Sequence, residues 1–236
     1  MYGLGELPQG FARLSAIYGG TYMLNSAFVK VEYDDCGRVN RVVTGEGTAK
    51  CKGVIAAPNY FPEFVKQTKR IVRAICLLNH PIPSTNNADS CQIIIPQRQL
   101  NRTSDVYVVC LSSTHQVCAP GYFLAIVSTV IESEDPHQEI QPAIELLGPI
   151  IEKYLLPFYH RFVWISKLYE PTTSGRENNV FMTKSYDPSS HFESVCDDVK
   201  DVYQRVTGKS LVIKPRMTQD QEQQILESSI GSTTTV

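Results

Sequence analysis

The sequence predicts a mixed α/β fold of α+β character. A β-meander leads into the remnant of a parallel sheet, and a second, mixed or antiparallel sheet is accompanied by helices. Three observations predict it. Hairpin-length connections link the strands between Phe28 and Ala57, and the last of these is apolar and ends in small residues, Gly53-Val54-Ile55-Ala56-Ala57-Pro58. Four more strand-like runs follow between residues 70 and 131 with short links, the pattern of an antiparallel sheet. Apolar residues at helical spacing recur near the start, after residue 139 and after residue 191.

The first stretch, Tyr2 to Leu24, reads as a loop, a short helix and the start of a strand. Gly3 and Gly5 loosen the loop, and Pro8 falls in the first helical turn, where its missing N–H has no partner to lose. Phe11, Leu14, Ala16, Ile17 and Tyr18 supply an apolar face, and Gly19-Gly20 ends the helix. Tyr22 to Leu24 is expected to begin a strand. Phe28 to Tyr33 alternates with period two, Asp34 to Gly37 is a turn, and Val39 to Thr44 is the return strand. Gly45-Glu46-Gly47 turns the chain again into a strand expected from Thr48 to Ala57.

The second sheet is expected from strands at Arg70 to Leu78, Ser90 to Pro96, Asp105 to Ser112 and Tyr122 to Ile131. Glu139 to Tyr154 has helical periodicity through Ile140, Ala143, Ile144, Leu147, Ile150 and Ile151, with Pro142 placed in its first turn. Residues 155–164 hold the single tryptophan and a cluster of aromatic residues. Val180 to Ser185 is a strand. Ser190-x-x-Glu193 is a capping box that opens a last helix over about 191–207, striped by Phe192, Val195, Val199, Val202 and Val206 and ended by Gly208. From Lys214 the sequence turns polar and reads as a frayed or disordered tail over 214–236. Its last three residues, Thr234-Thr235-Val236, have the pattern of a carboxylate ligand for a PDZ-type groove.

Composition narrows the function. The chain has 236 residues and 42% apolar content, enough for a core in one large domain or two small ones. A net charge of −2 gives no electrostatic footprint for nucleic acid or a membrane surface. No secretory leader and no apolar run long enough to span a bilayer occurs. The seven cysteines, Cys36, Cys51, Cys76, Cys91, Cys110, Cys118 and Cys196, form no CxxC and no cysteine–histidine cluster. They read as reduced, mostly buried thiols of a cytoplasmic protein, with no metal. Asn101-Arg102-Thr103 is a glycosylation sequon that such a compartment leaves unmodified.

Enzyme motifs are missing. Gly3-x-Gly5 and Gly19-Gly20 lack the preceding strand and the spacing of a dinucleotide fingerprint. There is no P-loop and no Gly-x-Ser-x-Gly. His80, His115, His137, His160 and His191 are far apart, and adjacent Asp197 and Asp198 diverge by about 100° on a helix, which makes them a solvated face rather than a shared ligand site.

The run from Tyr2 to Leu24 resembles the signature segment of the Rab GDP dissociation inhibitors, a family related to the Rab escort proteins, and the match is almost unbroken. The resemblance implies an incomplete version of the FAD/NAD(P)-binding-like fold, which in this family binds no flavin. It implies a non-enzymatic protein without cofactor that binds GDP-bound, prenylated Rab GTPases, slows GDP release and carries them between membranes and cytosol as a monomer. By the same resemblance Glu6, Arg13, Thr21 and Met23 are the Rab-binding positions. An acid, an arginine fork, a hydroxyl and a flexible thioether suit a protein surface.

In full-length members this segment lies about midway. The chain therefore reads as a second half that lacks the first βαβ unit and the helical domain that shields the lipid, with residues 1–213 as one unit. Residues 155–164 exceed the family pattern, either as an apolar contact loop or as an intron read through. The alternatives carried forward are a Rab escort protein-like subunit, a flavin- or nicotinamide-dependent oxidoreductase on the shared fold, and a truncated product that does not fold alone.

Overall fold

The computed structural model describes residues 3, 5–153, 163–189 and 192–213. Among these, three sheets and three helices build a mixed α/β fold.

The meander is as expected. β1 (Phe28–Tyr33), β2 (Val39–Thr44) and β3 (Gly47–Lys50) pair antiparallel in that order. Its first turn is shaped by Asp34, whose carboxylate accepts from the backbone N–H of Cys36 at 3.0 Å and of Arg38 at 2.9 Å. The single strand expected over 48–57 is instead two. The chain leaves the meander after Lys50, and β4 (Val54–Ala56) pairs in parallel with β11 (Val180–Met182). Gly53 permits the change of partner, because a Cβ there would lie 3.3 Å from the carbonyl oxygen of Asn179. Val180 and Met182 are buried against Val39 and Phe61, with Val54, Ala56, Phe28 and Val31 packed around them. The aromatic rings interlock edge to face, Phe28 on Phe61 at 5.5 Å.

The second sheet is antiparallel throughout, in the order β10 (Val163–Pro171), β5 (Val65–Leu78), β8 (Phe123–Val130), β7 (Val106–Ser112), β6 (Ser90–Ile95). A short β9 (Glu152–Lys153) pairs with the end of β5 at Cys76 and Leu77. β5 begins five residues before its expected start. Val65, Lys66 and Gln67 pair with β10 alone, before a register shift at Thr68 and Lys69, and the charged Lys66 and Lys69 hide that extension from a burial pattern.

α2 (Pro136–Leu146) covers this sheet, burying Ile140, Ala143 and, just after it, Leu147 on Val72, Leu78, Val108 and Val127. It starts three residues before the expected position, because the Asp135 carboxylate accepts from the backbone N–H of His137 at 2.9 Å. Pro142 therefore lies inside the helix, not in its first turn. The helix does not run to Tyr154. Gly148 adopts φ +73° and Pro149 follows, which stops it, and Glu152 and Lys153 are extended. Arg102, at the centre of the sequon, is half-buried, and its largely covered side chain pairs with Glu139 of α2.

α3 (Glu193–Thr207) ends at Gly208 with φ +73°, as expected. Asp197 and Asp198 diverge as expected, but Asp198 is not solvated. Asp197 is exposed and pairs with Lys200 at 3.2 Å, whereas Asp198 is buried and accepts from the backbone N–H of Lys184 at 3.2 Å. Nor are most cysteines buried: Cys76 and Cys110 are, Cys51, Cys91 and Cys118 are half-buried, and Cys36 and Cys196 are exposed.

Of the aromatic segment, Val163 and Trp164 open β10 opposite Ala74 and Arg73. Residues 155–162, Tyr2, Ser190 of the expected capping box, His191 and the tail 214–236 lie outside the described residues; α3 has Phe192 at its N-cap with no side-chain cap, so Glu193 is its first residue and not the third of a capping box. No helix among the described residues is long and apolar enough to cross a membrane.

Candidate functional site: the first helix and the segment after it

α1 (Glu6–Ile17) is a 12-residue helix that buries none of its residues. Its C-terminal end is closed by two backbone hydrogen bonds, Gly20 N–H to the Ser15 carbonyl at 2.9 Å and Gly19 N–H to the Ala16 carbonyl at 3.0 Å. Gly19 takes the left-handed conformation, φ +88°, that this paired closure requires. A Cβ on Gly20 would lie 2.3 Å from the Ser15 hydroxyl oxygen and 3.0 Å from its carbonyl oxygen. Both glycines are thus fixed by geometry.

The strand expected over Tyr22 to Leu24 does not form. Residues 20–23 carry no regular structure, and Leu24-Asn25 make a turn with Asn25 at φ +59°. A left-handed residue interrupts an extended run just where it would have joined β1. What holds the segment is the turn between β2 and β3. The Ser26 hydroxyl donates to the Glu46 carboxylate, and Gly45 N–H donates to the Ala27 carbonyl at 2.9 Å. The bond from Ser26 holds the Glu46 carboxyl below its ordinary pKa.

The structure places the expected site residues as follows. Glu6 and Arg13 are seven residues apart on α1, about 20° from eclipsed and roughly 10 Å apart along the axis. They share one face. Thr21 and Met23 follow in the irregular segment, and all four residues are exposed. Among the described residues none of the charged pair has an ion-pair partner. An unpaired guanidinium, an unpaired carboxylate, a hydroxyl and a 63% exposed thioether therefore lie on one contiguous stretch. That set can bind a protein through charge-assisted hydrogen bonds and an adaptable apolar contact. It holds no base or nucleophile positioned for chemistry.

The helix has a second face that sequence reasoning treated as an ordinary apolar stripe. Leu7, Phe11, Leu14 and Tyr18 lie at i, i+4, i+7 and i+11, about a third of a turn from Glu6 and Arg13. All four are exposed, Phe11 at 65% and Tyr18 at 85%. Leu7, one turn before Phe11, was legible as part of the stripe. The anchor at Ser26 and Glu46 was not, because it joins residues 20 apart through a turn whose pairing only the fold reveals.

Elsewhere, a cleft of about 530 Å³ between the start of β7 and the start of α3 is walled by Asp105, Asp187, Glu193 and Asp197. No group of three or more His, Cys, Asp or Glu among the described residues could hold a metal ion. His80 is engaged structurally, its ring nitrogens 2.7 and 2.9 Å from the carbonyl oxygens of Pro81 and Pro149.

Comparison with known proteins bears on these features. The family model described as GDP dissociation inhibitor matches residues 1–218. A Rab GDP-dissociation inhibitor of Saccharomyces cerevisiae is 57% identical over 224 residues, covering 94% of this chain and 48% of the relative. The Rab GDP dissociation inhibitor beta of Rattus norvegicus is 50% identical over 208 residues, covering 88% of this chain and 45% of the relative. The crystal structure of a Rab GDI from Plasmodium falciparum superposes with a TM-score of 0.82 at 41% identity, over 90% of this chain and 47% of that one. The chain spans about half the length of the curated relatives it matches.

Proposed function

The chain belongs to the GDP dissociation inhibitor family, and we propose that it binds GDP-bound, prenylated Rab GTPases through Glu6, Arg13, Thr21 and Met23. The family regulates rather than catalyses. The observation that carries the reading is the family match, which runs through the whole of α1 and the segment after it. The exposure of all four side chains supports it.

The mechanism is differential affinity. A partner that prefers the GDP-bound conformer of a GTPase stabilises that conformer and slows its conversion. Arg13 offers a rigid fork of donors, Glu6 an acceptor two turns earlier, and Thr21 and Met23 continue the contact beyond the helix. The chain acts in the cytoplasm as a monomer, without cofactor and without catalysing a reaction. Residues 1–213 form the binding unit, and 214–236 are a polar tail. Because lipid binding depends on apolar burial, at about 0.8 kcal/mol per CH₂, extraction of a prenylated Rab from membranes should be weaker for this chain than for a relative twice its length.

The test is a titration of the chain against one Rab loaded with GDP and with a non-hydrolysable GTP analogue, beside Arg13→Ala. The expected result is tighter binding to the GDP form, reduced by Arg13→Ala by about 1–2 kcal/mol, the cost of removing a moderate hot spot. Equal affinity for both nucleotide states, or indifference to Arg13→Ala and Met23→Ala alike, would refute the assignment.

A further inference from the structure

β6 lies at the edge of the six-stranded sheet and, among the described residues, pairs with β7 alone. Its register sets Cys91 directly opposite Cys110. Opposed residues on antiparallel strands point to the same side of the sheet, with Cα atoms about 4.5–5.5 Å apart. That spacing lies inside the roughly 4.4–6.8 Å that a disulfide spans, so the two sulfurs can be joined without moving either strand. Both cysteines lie on the face that α2 covers, Cys110 within the core and Cys91 at its margin.

The surroundings single out this pair. Along the same row of the sheet Ala125 stands between Cys110 and Cys76, which puts Cys76 two strands away, roughly 10 Å and out of reach. Burial first, then the nearby thiols of Cys91 and Cys118, push the Cys110 thiol up to about 11, so Cys118 is also a neighbour. The Cys118 thiol, however, donates to the Tyr122 carbonyl at 3.1 Å, in the connection between β7 and β8, and is not opposite Cys110 on an adjoining strand. Cys91 and Cys110 also differ in access. Cys91 is half-buried, whereas Cys110 is 1% exposed. A small reagent reaches the first from solvent, and the second adjoins it from the apolar side.

We infer that Cys91 and Cys110 form a redox-modification site, at which a small peroxide converts the two thiols into a disulfide that clamps the edge strand β6 to β7. The Cys91 thiolate attacks one peroxide oxygen. The O–O bond breaks, hydroxide leaves, and the sulfur becomes a sulfenic acid. The Cys110 sulfur then attacks the Cys91 sulfur. The S–S bond forms, the S–O bond breaks, and the departing hydroxide takes the Cys110 proton as water. Two thiols and one hydrogen peroxide thus give one disulfide and two waters. Cys110 needs no access of its own, because its partner carries the oxidised sulfur. Burial holds the Cys91 thiol above its ordinary 9.0, so the first step is slow at neutral pH and the site responds to sustained exposure. Reduced, β6 is held by one neighbour and can open locally; oxidised, it cannot part from β7.

The test treats the folded chain with hydrogen peroxide at mildly alkaline pH. Cys36→Ser and Cys196→Ser, both at exposed positions, prevent bridges between molecules. Remaining thiols are blocked with N-ethylmaleimide, and peptides from trypsin and chymotrypsin are mapped by mass spectrometry. A peptide pair joined through Cys91 and Cys110 is expected in at least tenfold excess over any pair containing Cys76 or Cys118. Its formation should speed up with rising pH and reverse with dithiothreitol, and amide exchange across residues 90–95 should slow at least tenfold on oxidation. In Cys110→Ala, Cys91 should persist as a sulfenic acid that dimedone traps, whereas Cys118→Ser should leave the bridge unchanged. Cys91→Ala keeps the core thiol in place and should leave Cys110 reduced under peroxide, which preserves the test if Cys110→Ala does not fold. A Cys91 that stays reduced, a bridge from Cys110 to Cys118, or a Cys91–Cys110 bridge that forms only in urea overturns the inference.

Discussion

Replacing Arg102 with methionine should cost more stability than any surface change in this chain. Arg102 is 90% covered and Glu139 still more so, their side chains exposed at 10% and 4%. The guanidinium pairs with the Glu139 carboxylate and donates to the Val130 carbonyl at 2.7 Å and the Thr129 hydroxyl at 3.2 Å. Glu139 in turn accepts from the backbone N–H groups of Glu132, at 3.0 Å, and Ser133. The pair therefore joins three elements: the loop before β7, the end of β8 and the first turns of α2. Removing one partner of a buried pair typically costs 3–5 kcal/mol, because the other charge stays buried. Here Glu139 keeps two backbone donors, which places Arg102→Met near the lower end, at about 3–4 kcal/mol. For a domain of about 200 residues that is roughly 6–16 °C in Tm.

Urea unfolding followed by far-ultraviolet circular dichroism at pH 7 measures it, with Glu139→Gln and the double variant completing a cycle. Glu139→Gln retains an acceptor for the backbone and should cost about 1–2 kcal/mol. The double variant should be less destabilised than the sum of the two, because the uncompensated charge has gone. An unchanged m value would tie the effect to the native state. A loss below 1 kcal/mol for Arg102→Met, or strict additivity, would refute the reasoning that a desolvated charge pair fixes α2 on the sheet.

Further outcomes follow from other sites. Burial pushes the Asp198 carboxyl above its ordinary value of 3.8, and the Lys184 N–H bond and nearby cations only partly offset this. The folded state thus holds a proton that the unfolded state has released, and stability should fall as pH rises through the interval just above 3.8. Asp198→Asn should flatten that part of the urea-midpoint profile. Glu46 has the opposite sign: its lowered pKa gives stability above the ordinary 4.5 that is lost as pH falls through its folded value, so Glu46→Gln should loosen the anchor of the segment after α1 most clearly at neutral pH, read by hydrogen exchange at Ser26 and Ala27. Gly175→Ala should yield little soluble protein, because its Cβ would lie 2.3 Å from the Val180 carbonyl oxygen at a φ of +79°. With an aromatic disulfide reagent, Cys36 and Cys196 should react first; Cys110, its thiol pushed up to about 11 by burial and by Cys91 and Cys118, should react only on unfolding, together with Cys76.

Where local chemistry decides structure, the sequence was legible. The strands Phe28–Tyr33 and Val39–Thr44 and the stops at Gly19 and Gly208 follow from alternation and from left-handed glycine. What escaped depends on partners distant in sequence. Nothing local says that the run after Lys50 must change from an antiparallel to a parallel neighbour, or that Lys66 and Lys69 extend β5 because β10 lies beside them. The helix after Asp135 was misplaced because Pro142 invites a first-turn reading, whereas the aspartate cap seven residues earlier was the stronger signal. At the candidate site the four residues came from the signature as a block. That the apolar stripes of α1 and α3 stand largely exposed required the structure, since periodicity marks an apolar face without showing whether anything covers it.

Those two stripes link stability to affinity. An isolated helix of about 12 residues is marginal in water, and α1 buries none of its residues and has no side-chain cap. Glu6 and Arg13 share a face only while the helix is formed, so under the proposed binding mode the apparent affinity for a GTPase would scale with the fraction of time that it is. If that fraction is about one tenth, affinity is about tenfold weaker than the contacts allow. Covering Leu7, Phe11, Leu14 and Tyr18 would restore it without adding any contact to the GTPase. A stabilising change away from the Glu6–Arg13 face should act in the same direction: Ser15→Ala, on the opposite side of the helix, should raise helix content and tighten GTPase binding about twofold, the equivalent of roughly 0.5 kcal/mol of helix propensity. Gly19→Ala, forced into φ +88°, should do the reverse. If both variants bind like the parent while circular dichroism shows the helix content shifted, the helix is not what limits the platform, and Thr21 and Met23 carry the contact by themselves.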